Sequence, residues 1–150
     1  MPPGDGPGGD EALVRQVIEA RARAIRAKDT DGVLSHYTDD LTVFELAPPL
    51  SIGAEEALDR RSQEQWFRSW RGPIGWETRD LRITVGGDVA FSYALHRLTG
   101  TSVRGERTAM WVRQTLGLRK VAGTWKIAHE HTSVPFYMDG SDTAAVDLEP

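Results

Sequence analysis

The chain has 150 residues, of which 39% are hydrophobic and 27% charged, with a formal net charge of -4 and no cysteine. These values are typical of one globular domain with its own core, and they exclude disulfides, a thiolate nucleophile and a cysteine-ligated metal site. The acidic balance argues against nucleic-acid binding, and the sequence lacks an apolar run long enough for a membrane span or a signal peptide. The sequence therefore predicts a cytoplasmic protein without a nucleic-acid or membrane partner.

The N-terminal part predicts a disordered tail followed by an amphipathic helix. Residues 1–9 are mostly Pro and Gly, a composition that cannot bury apolar area. Asp10 is the expected N-cap of a helix from about Glu11 to Lys28. The apolar residues of this segment recur at helical spacing and predict one buried stripe: Val14, Val17, Ile18, Ala22 and Ile25.

Two further helices and a strand are predicted before residue 73. A short helix follows a cap at Asp29 or Thr30, and Leu41–Leu46 is the first strand, which the prolines at 48 and 49 terminate. The third helix begins at Gly53 and presents an aromatic stripe that includes Trp66. Such stripes are usually buried, although they also wall cavities for planar ligands.

From residue 76 onward the pattern predicts an antiparallel meander of four strands. Gly-rich turns separate the strands, and their side chains alternate with period two. Residues 139–150 are acidic and contain no aromatic residue, which predicts a disordered tail and a domain spanning 10–138. Each of the three helices and the long sheet has one face to bury. An arrangement in which the sheet curls round the helices as a cone buries all of these faces, and it leaves a pocket at the open end of the cone. The predicted strands are Trp76–Val85, Val89–Thr99, Arg107–Arg119 and Trp125–Ser133.

The last predicted strand concentrates the titratable side chains. Strict alternation puts His129 and His131 on one face and Glu130 and Thr132 on the other. The preceding strand contributes Arg113, whose neighbours depend on the register. In one register Arg113 shares a face with His131 and forms an anion site, and after a slip by one residue it forms an ion pair with Glu130. Both registers remain open.

Three motifs resemble the SnoaL-like, ketosteroid isomerase-like branch of the NTF2-like superfamily. They are DGVLSHYTDD at 31–40, RQT at 113–115 and GTWKIAHEHTS at 123–133. The resemblance covers Glu11 to Tyr137. It implies an α+β cone in which three N-terminal helices pack on a strongly curved, mostly antiparallel sheet. Relatives of this kind are usually homodimers and include ketosteroid isomerase-like enzymes, polyketide cyclases, dehydratases, limonene epoxide hydrolase-like enzymes and the association domain of calmodulin-dependent kinases.

The resemblance also implies a small apolar or aromatic organic ligand and, for an enzyme, cofactor-independent isomerase, cyclase or lyase chemistry. Such chemistry needs a base beside a carbon acid and a donor for the developing negative charge. We expect His96 or His131 as the base and Glu130 as the group that orients it. The expected ligand-binding residues are Tyr37, Phe44, Trp66, Arg113, His129 and Thr132.

No cofactor or metal is expected. The sequence has no Gly-x-Gly-x-x-Gly motif and no phosphate-binding loop. His129 and His131 are spaced to chelate a metal ion, but a catalytic site needs a third ligand, for which His96 or a carboxylate is the candidate.

A non-catalytic dimerisation or ligand-sensing module, like the kinase association domain, is the alternative function. One fold hosts enzymes and assembly modules alike, so fold does not decide between them. The alternative predicts that Arg113, Glu130 and His131 satisfy one another and are closed off from any cavity.

Overall fold

The structure is a computed structural model that describes residues 7–150. Of the tail 1–9 that is expected to be disordered, residues 1–6 lie outside the described residues, whereas residues 7–9 belong to the first helix. Within residues 7–150 there are four helices: α1 (Pro7–Arg26), α2 (Thr30–Leu34), α3 (Ala54–Ala57) and α4 (Arg60–Arg68). Five strands occur: β1 (Tyr37–Phe44), β2 (Trp70–Gly86), β3 (Val89–Ser102), β4 (Arg107–Val121) and β5 (Thr124–Ser133).

The strands form one curved sheet in the order β1-β5-β4-β3-β2. Strands β2 to β5 are an antiparallel meander, and β1 pairs with β5 in parallel. The helices pack against this sheet, so the predicted α+β class with a mostly antiparallel curved sheet is confirmed. Because the last strand lies between β1 and β4, it is an interior strand of the sheet.

Helix α1 buries the apolar stripe that its sequence predicts. Val14 and Ile18 are fully buried in a core with Leu41, Leu116 and Ile127 from the sheet. Burial of side chains of this size stabilises the fold by about 1.5–3 kcal/mol each.

Helix α1 begins at Pro7, three residues before the predicted N-cap Asp10. Proline is tolerated there because the first N–H groups of a helix have no intrahelical partner. Asp10 instead accepts hydrogen bonds from Trp125 Nε1 at 3.0 Å and Lys120 Nζ at 3.1 Å. These bonds lower the pKa of Asp10 and connect α1 to the turn between β4 and β5.

The segment predicted as the third helix forms two helices, because the helical conformation is interrupted at Leu58 and Asp59, between α3 and α4. Asp59 is extended and caps α4 by accepting from the backbone N–H of Ser62 at 3.2 Å. Strand β2 then begins at Trp70, six residues before the predicted start. Gly72 lies within β2 at φ +77°, where the pairing with β3 shifts register.

A β-bulge interrupts the pairing of β4 with β5. Gly117 pairs with His129, but Leu118 pairs with Ile127, so Ala128 is the extra residue. A bulge adds one residue to one strand and reverses the phase of the following side chains. The strict alternation predicted for β5 is therefore wrong beyond Ala128.

The bulge lets β5 bury apolar and polar side chains on the same face. Before the bulge the buried residues are Trp125 and Ile127, and after it they are Glu130 and Thr132. His129 and His131 consequently point to the opposite face. We call the sheet face that packs on the helices the inner face and the opposite one the outer face.

The chain after β5 folds back on itself. Ala144 forms an isolated bridge with Phe136, and Ala145 is 3% exposed. This arrangement differs from the disorder that the acidic composition of 139–150 predicts, because Ala145 occupies a buried position. Among residues 7–150, no helix combines the length and the apolar character needed to cross a membrane.

Candidate functional site

A cavity of about 480 Å³ lies between the helices and the inner face of the sheet. We call it the central cavity. Its volume is within the range of about 300–1,000 Å³ that small-molecule sites occupy. Residues of α1, α3, α4, the loop after β1 and all five strands line it. Most of the wall is apolar, and the polar groups of its inner part are Arg21, Tyr37, Glu45, Gln114, Glu130 and Thr132.

An ion pair between Arg21 of α1 and Glu130 of β5 crosses the inner end of the cavity. The two side chains are only 5% and 7% exposed. Burial alone would lower the pKa of Arg21, but the charge of Glu130 and the hydrogen bond with Tyr37 raise it above its ordinary value. Arg21 therefore stays charged, and the pair is an internal, mutually neutralised unit.

Three neutral side chains complete the hydrogen bonding of this pair. Arg21 Nε donates to the Tyr37 hydroxyl at 2.8 Å, and Nη1 donates to Gln114 Oε1 at 3.3 Å. The Tyr37 hydroxyl donates to Glu130 Oε1 at 3.0 Å, and Gln114 Nε2 donates to Thr132 Oγ1 at 3.0 Å. Burial, with the neighbouring Glu130, raises the pKa of Tyr37, so the hydroxyl keeps its proton. We call these five residues the Arg21 network.

Glu45 is a titratable group beside this network, in hydrogen-bond contact with Glu130. It follows β1 directly and lines the cavity. The residue as a whole is exposed, but desolvation of its carboxyl group, followed by the charge of Glu130 and a hydrogen bond with it, raises the pKa of Glu45 to about 7, against the opposing charge of Arg21. Glu45 is thus half protonated near neutral pH, which suits a group that both accepts and donates a proton.

His96, an expected base, does not line the cavity. It is 2% exposed on the inner face of β3, with Nδ1 3.0 Å from Thr78 Oγ1. Its ring stacks on Trp76 with centroids 4.6 Å apart, and Trp76 is the residue that forms the wall. Burial, with the charge of Arg21, lowers the pKa of His96 to about 4. The neutral imidazole of His96 therefore packs against the side of Trp76 and stabilises this residue of the cavity wall.

The low pKa of His96 is expected to make the fold sensitive to acid. An unfolded histidine titrates near pH 6.5 and His96 near pH 4, so acid protonates the unfolded chain first. The free energy of unfolding should lose about 3 kcal/mol from this group between pH 6.5 and pH 4. Glu45 acts in the opposite direction, because its raised pKa makes the folded chain the better proton acceptor between about pH 7 and pH 4.5.

Urea unfolding of the native chain and His96→Gln at pH 7 and pH 5 separates the two contributions. Both chains keep Glu45, so their difference reports His96 alone. The native chain should lose more stability between the two pH values than the variant, and equal losses would contradict the assignment.

The other expected site residues divide between the two faces of the sheet. Tyr37, Trp66, Glu130 and Thr132 line the cavity, whereas four residues lie outside it: Phe44, Arg113, His129 and His131. The bulge at Ala128 is the reason that His129 and His131 face away from the cavity. His129 Nδ1 donates to the Thr42 carbonyl at 2.7 Å, and Phe44 contacts both rings edge-on, with centroids 4.8 and 5.3 Å away.

The register of β4 and β5 resolves the two alternatives for Arg113. Arg113 pairs with Ser133 and donates to its hydroxyl at 3.2 Å, so it shares a face with His131. That face is the outer one, and the anion site expected in the pocket is therefore wrong. Among residues 7–150, no three His or carboxylate side chains lie close enough together to hold a metal ion.

The sequence carried signals for the residues that our prediction missed. Arg21 interrupts the apolar stripe of α1 between Ile18 and Ile25, at helical spacing from both. Glu45 continues the alternation that Leu41 and Val43 begin on β1. A charged side chain at a position patterned for burial indicates an internal ion pair or a functional group.

A family model described as a SnoaL-like domain matches residues 14–137. An NTF2-like protein of unknown function from Pseudomonas putida is 30% identical, with 95% of this chain and 98% of that chain covered and a TM-score of 0.85. A candidate dehydratase of the NTF2-like family from Streptomyces avermitilis is 18% identical (85% and 97% covered, TM-score 0.74). A ketosteroid isomerase-like protein from Erwinia carotovora atroseptica is 23% identical (83% and 95% covered, TM-score 0.70). No curated protein matches the sequence.

Proposed function

The chain belongs to the SnoaL-like domain family, and from this premise we propose that its central cavity binds a small organic molecule and catalyses proton transfer on it without a cofactor. The observation that carries the proposal is Glu45, a carboxyl group in a mostly apolar cavity beside Glu130, which forms an ion pair with Arg21. A general base works best when its pKa is near the working pH. Isomerases, cyclases and dehydratases share this proton-transfer step.

In the proposed reaction Glu45 removes a proton from a carbon next to a carbonyl group. Negative charge then develops on the carbonyl oxygen, which neutral donors stabilise in a dry site. Gln63 of α4 lines the same cavity and supplies an amide for this purpose. The protonated Glu45 then returns the proton to the same or another carbon, so the protein is regenerated without an external acid.

Glu130 has a positioning role in this proposal. Its charge is held by Arg21 and Tyr37, and its proximity raises the proton affinity of Glu45. Glu130 itself need not exchange a proton with the substrate.

The proposal can be tested before the natural substrate is known. Cyclic and aryl-substituted ketones exchange the hydrogens next to their carbonyl group with deuterium oxide, and the exchange is followed by proton NMR. We expect at least one ketone that binds the protein to exchange faster than in buffer of the same composition. Binding without accelerated exchange across the panel would contradict catalysis and favour the ligand-sensing alternative.

We also propose that two copies of the chain pair through the outer face of the sheet. Phe91 and Tyr93 are 48% and 51% exposed there, with stacked rings 6.5 Å apart. The ladder continues across the sheet from Tyr93 to Thr115, His131 and Phe44. Large exposed aromatic side chains on a sheet face are typical of an interface, and a two-fold axis would place the same patch on both partners.

Tyr93→Asp is expected to separate such a dimer. Two carboxylates would face each other in a desolvated interface, where like charges destabilise association. Light scattering should give twice the mass of one chain for the native protein and the mass of one chain for the variant. Val103→Asp, at a position 61% exposed on the turn side of β3, is the matched control and should stay dimeric. A monomeric native protein would contradict the interface.

A further inference from the structure

The charges that line the central cavity are unbalanced. Three carboxylates line it, Glu45, Glu56 and Glu130, against one cation, Arg21. Arg21 already serves Glu130, Tyr37 and Gln114 through its guanidinium nitrogens. An incoming ligand therefore meets more carboxylates than cations among the described lining residues, and Arg21 is already held in an ion pair with Glu130.

This imbalance has a direct consequence for anions. A carboxylate or phosphate would have to leave water and approach Glu45 and Glu130 without gaining a countercharge. Breaking the Arg21–Glu130 pair to free the guanidinium would leave a buried, unpaired carboxylate, which is more costly still.

We infer that the central cavity selects its ligand by charge: it accepts apolar molecules whose polar group is uncharged or a basic nitrogen, and it excludes carboxylates and phosphates. The inference rests on the proposed function only in requiring that a small molecule binds in this cavity. It adds the chemical class of that molecule, which the reaction type alone does not define.

The walls fit the apolar part of such a ligand. Trp66 and Trp76 line the cavity together with Leu41, Val43 and Val112. Aromatic faces attract ammonium groups as well as apolar rings, so a basic nitrogen has partners in both the carboxylates and the walls. The cavity thereby favours an aromatic or alicyclic amine over its acidic analogue through two independent contributions.

Glu45 makes the selection dependent on pH. The charged and titratable groups around it are Glu130 of β5, Arg21 of α1, Tyr37 of β1 and Glu56 of α3. Arg21 stays charged and Tyr37 stays neutral in the accessible range. Ionisation of Glu45 between pH 6 and pH 8 should strengthen amine binding and weaken anion binding.

The test compares three naphthalene derivatives that differ in one group: 2-naphthylmethylamine, 2-naphthylmethanol and 2-naphthoate. Calorimetry at pH 8 should show the amine binding at least as tightly as the alcohol, with the carboxylate about tenfold weaker than the alcohol or worse. From pH 6 to pH 8 the affinity of the amine should rise several-fold and that of naphthoate should fall. The affinity of the alcohol should change less than either.

Two variants locate the selection in the cavity. Glu45→Gln should bind naphthoate about tenfold more tightly than the native chain and should abolish most of the pH dependence of amine binding. Glu55→Gln, which removes the neighbouring carboxylate of α3 outside the cavity lining, should leave all three affinities unchanged.

Naphthoate binding as tightly as the alcohol to the native chain would overturn the inference, and so would binding by none of the three. A Glu45→Gln variant that keeps the native order of affinities would also overturn it. Failure of the proposed catalysis is distinguishable: the predicted order of binding without deuterium exchange removes the catalytic role and leaves the charge selection intact.

Discussion

Replacing Glu45 by glutamine is expected to slow deuterium exchange into a bound ketone by about 10²–10⁴-fold, the usual contribution of a positioned general base. Glutamine has the shape of glutamate and fills the same place in the wall, but it cannot accept the proton. The measurement is the first-order exchange rate at saturating ketone, followed by NMR. Because the substitution also removes a carboxylate from beside Glu130, stability should not fall.

Glu55→Gln is the matched control for this prediction. Glu55 is an exposed carboxylate of α3 that does not line the cavity, so its loss should leave the exchange rate unchanged. Equal slowing in both variants would point to a general loss of surface charge. An unchanged rate in Glu45→Gln would remove Glu45 from the reaction.

The exchange rate should also rise with pH through the pKa of Glu45, which is about 7. Only the ionised carboxylate accepts a proton, so the rate is low below this pKa and levels off above it. Exchange measured from pH 5 to pH 9 gives the profile. A rate that is nearly level between pH 6 and pH 9, as expected for a carboxyl group that titrates in its ordinary range near pH 4, would show that the base is a group other than Glu45.

The order of elements and the identity of the core were readable from the sequence because they depend on periodicity. The apolar stripe of α1 and the alternation of β2 to β4 each depend on local spacing, which burial then enforces. The meander and the α+β class follow from those patterns. The same logic would have identified Arg21 and Glu45 if charged residues on buried faces had been weighed as strongly as histidines.

The faces of β5 could not be predicted in the same way. The bulge at Ala128 has no side-chain signature, because it depends on how β5 pairs with β4 at Gly117 and Leu118. Because of this one extra residue, Glu130 faces the cavity and the two histidines of β5 face away from it. The two open registers for Arg113 both assumed an uninterrupted strand, and so neither described the cavity correctly.

Arg21→Met is expected to destabilise the fold by about 3–5 kcal/mol, because it leaves the buried Glu130 without its countercharge. Tyr37 and Gln114 would also lose a donor. Urea unfolding at pH 7 gives the free-energy change. Arg23→Met, on the exposed side of the same helix, is the control and should change stability by no more than about 0.5 kcal/mol.

The double variant Arg21→Met with Glu130→Leu shows whether the stability lost in Arg21→Met comes from leaving Glu130 buried without a countercharge or from losing the attraction between the two charges. A buried ion pair replaced by apolar residues of similar size is often neutral in stability, whereas removing one member is strongly destabilising. The double variant should therefore recover more than half of the loss caused by Arg21→Met, although Tyr37 keeps a hydroxyl without its acceptor. Additive losses from the two single variants would contradict the view that these charges act as one unit. In that outcome Glu130 would be held by the remaining hydrogen bonds of the Arg21 network, and the raised pKa of Glu45 should persist when Arg21 is removed.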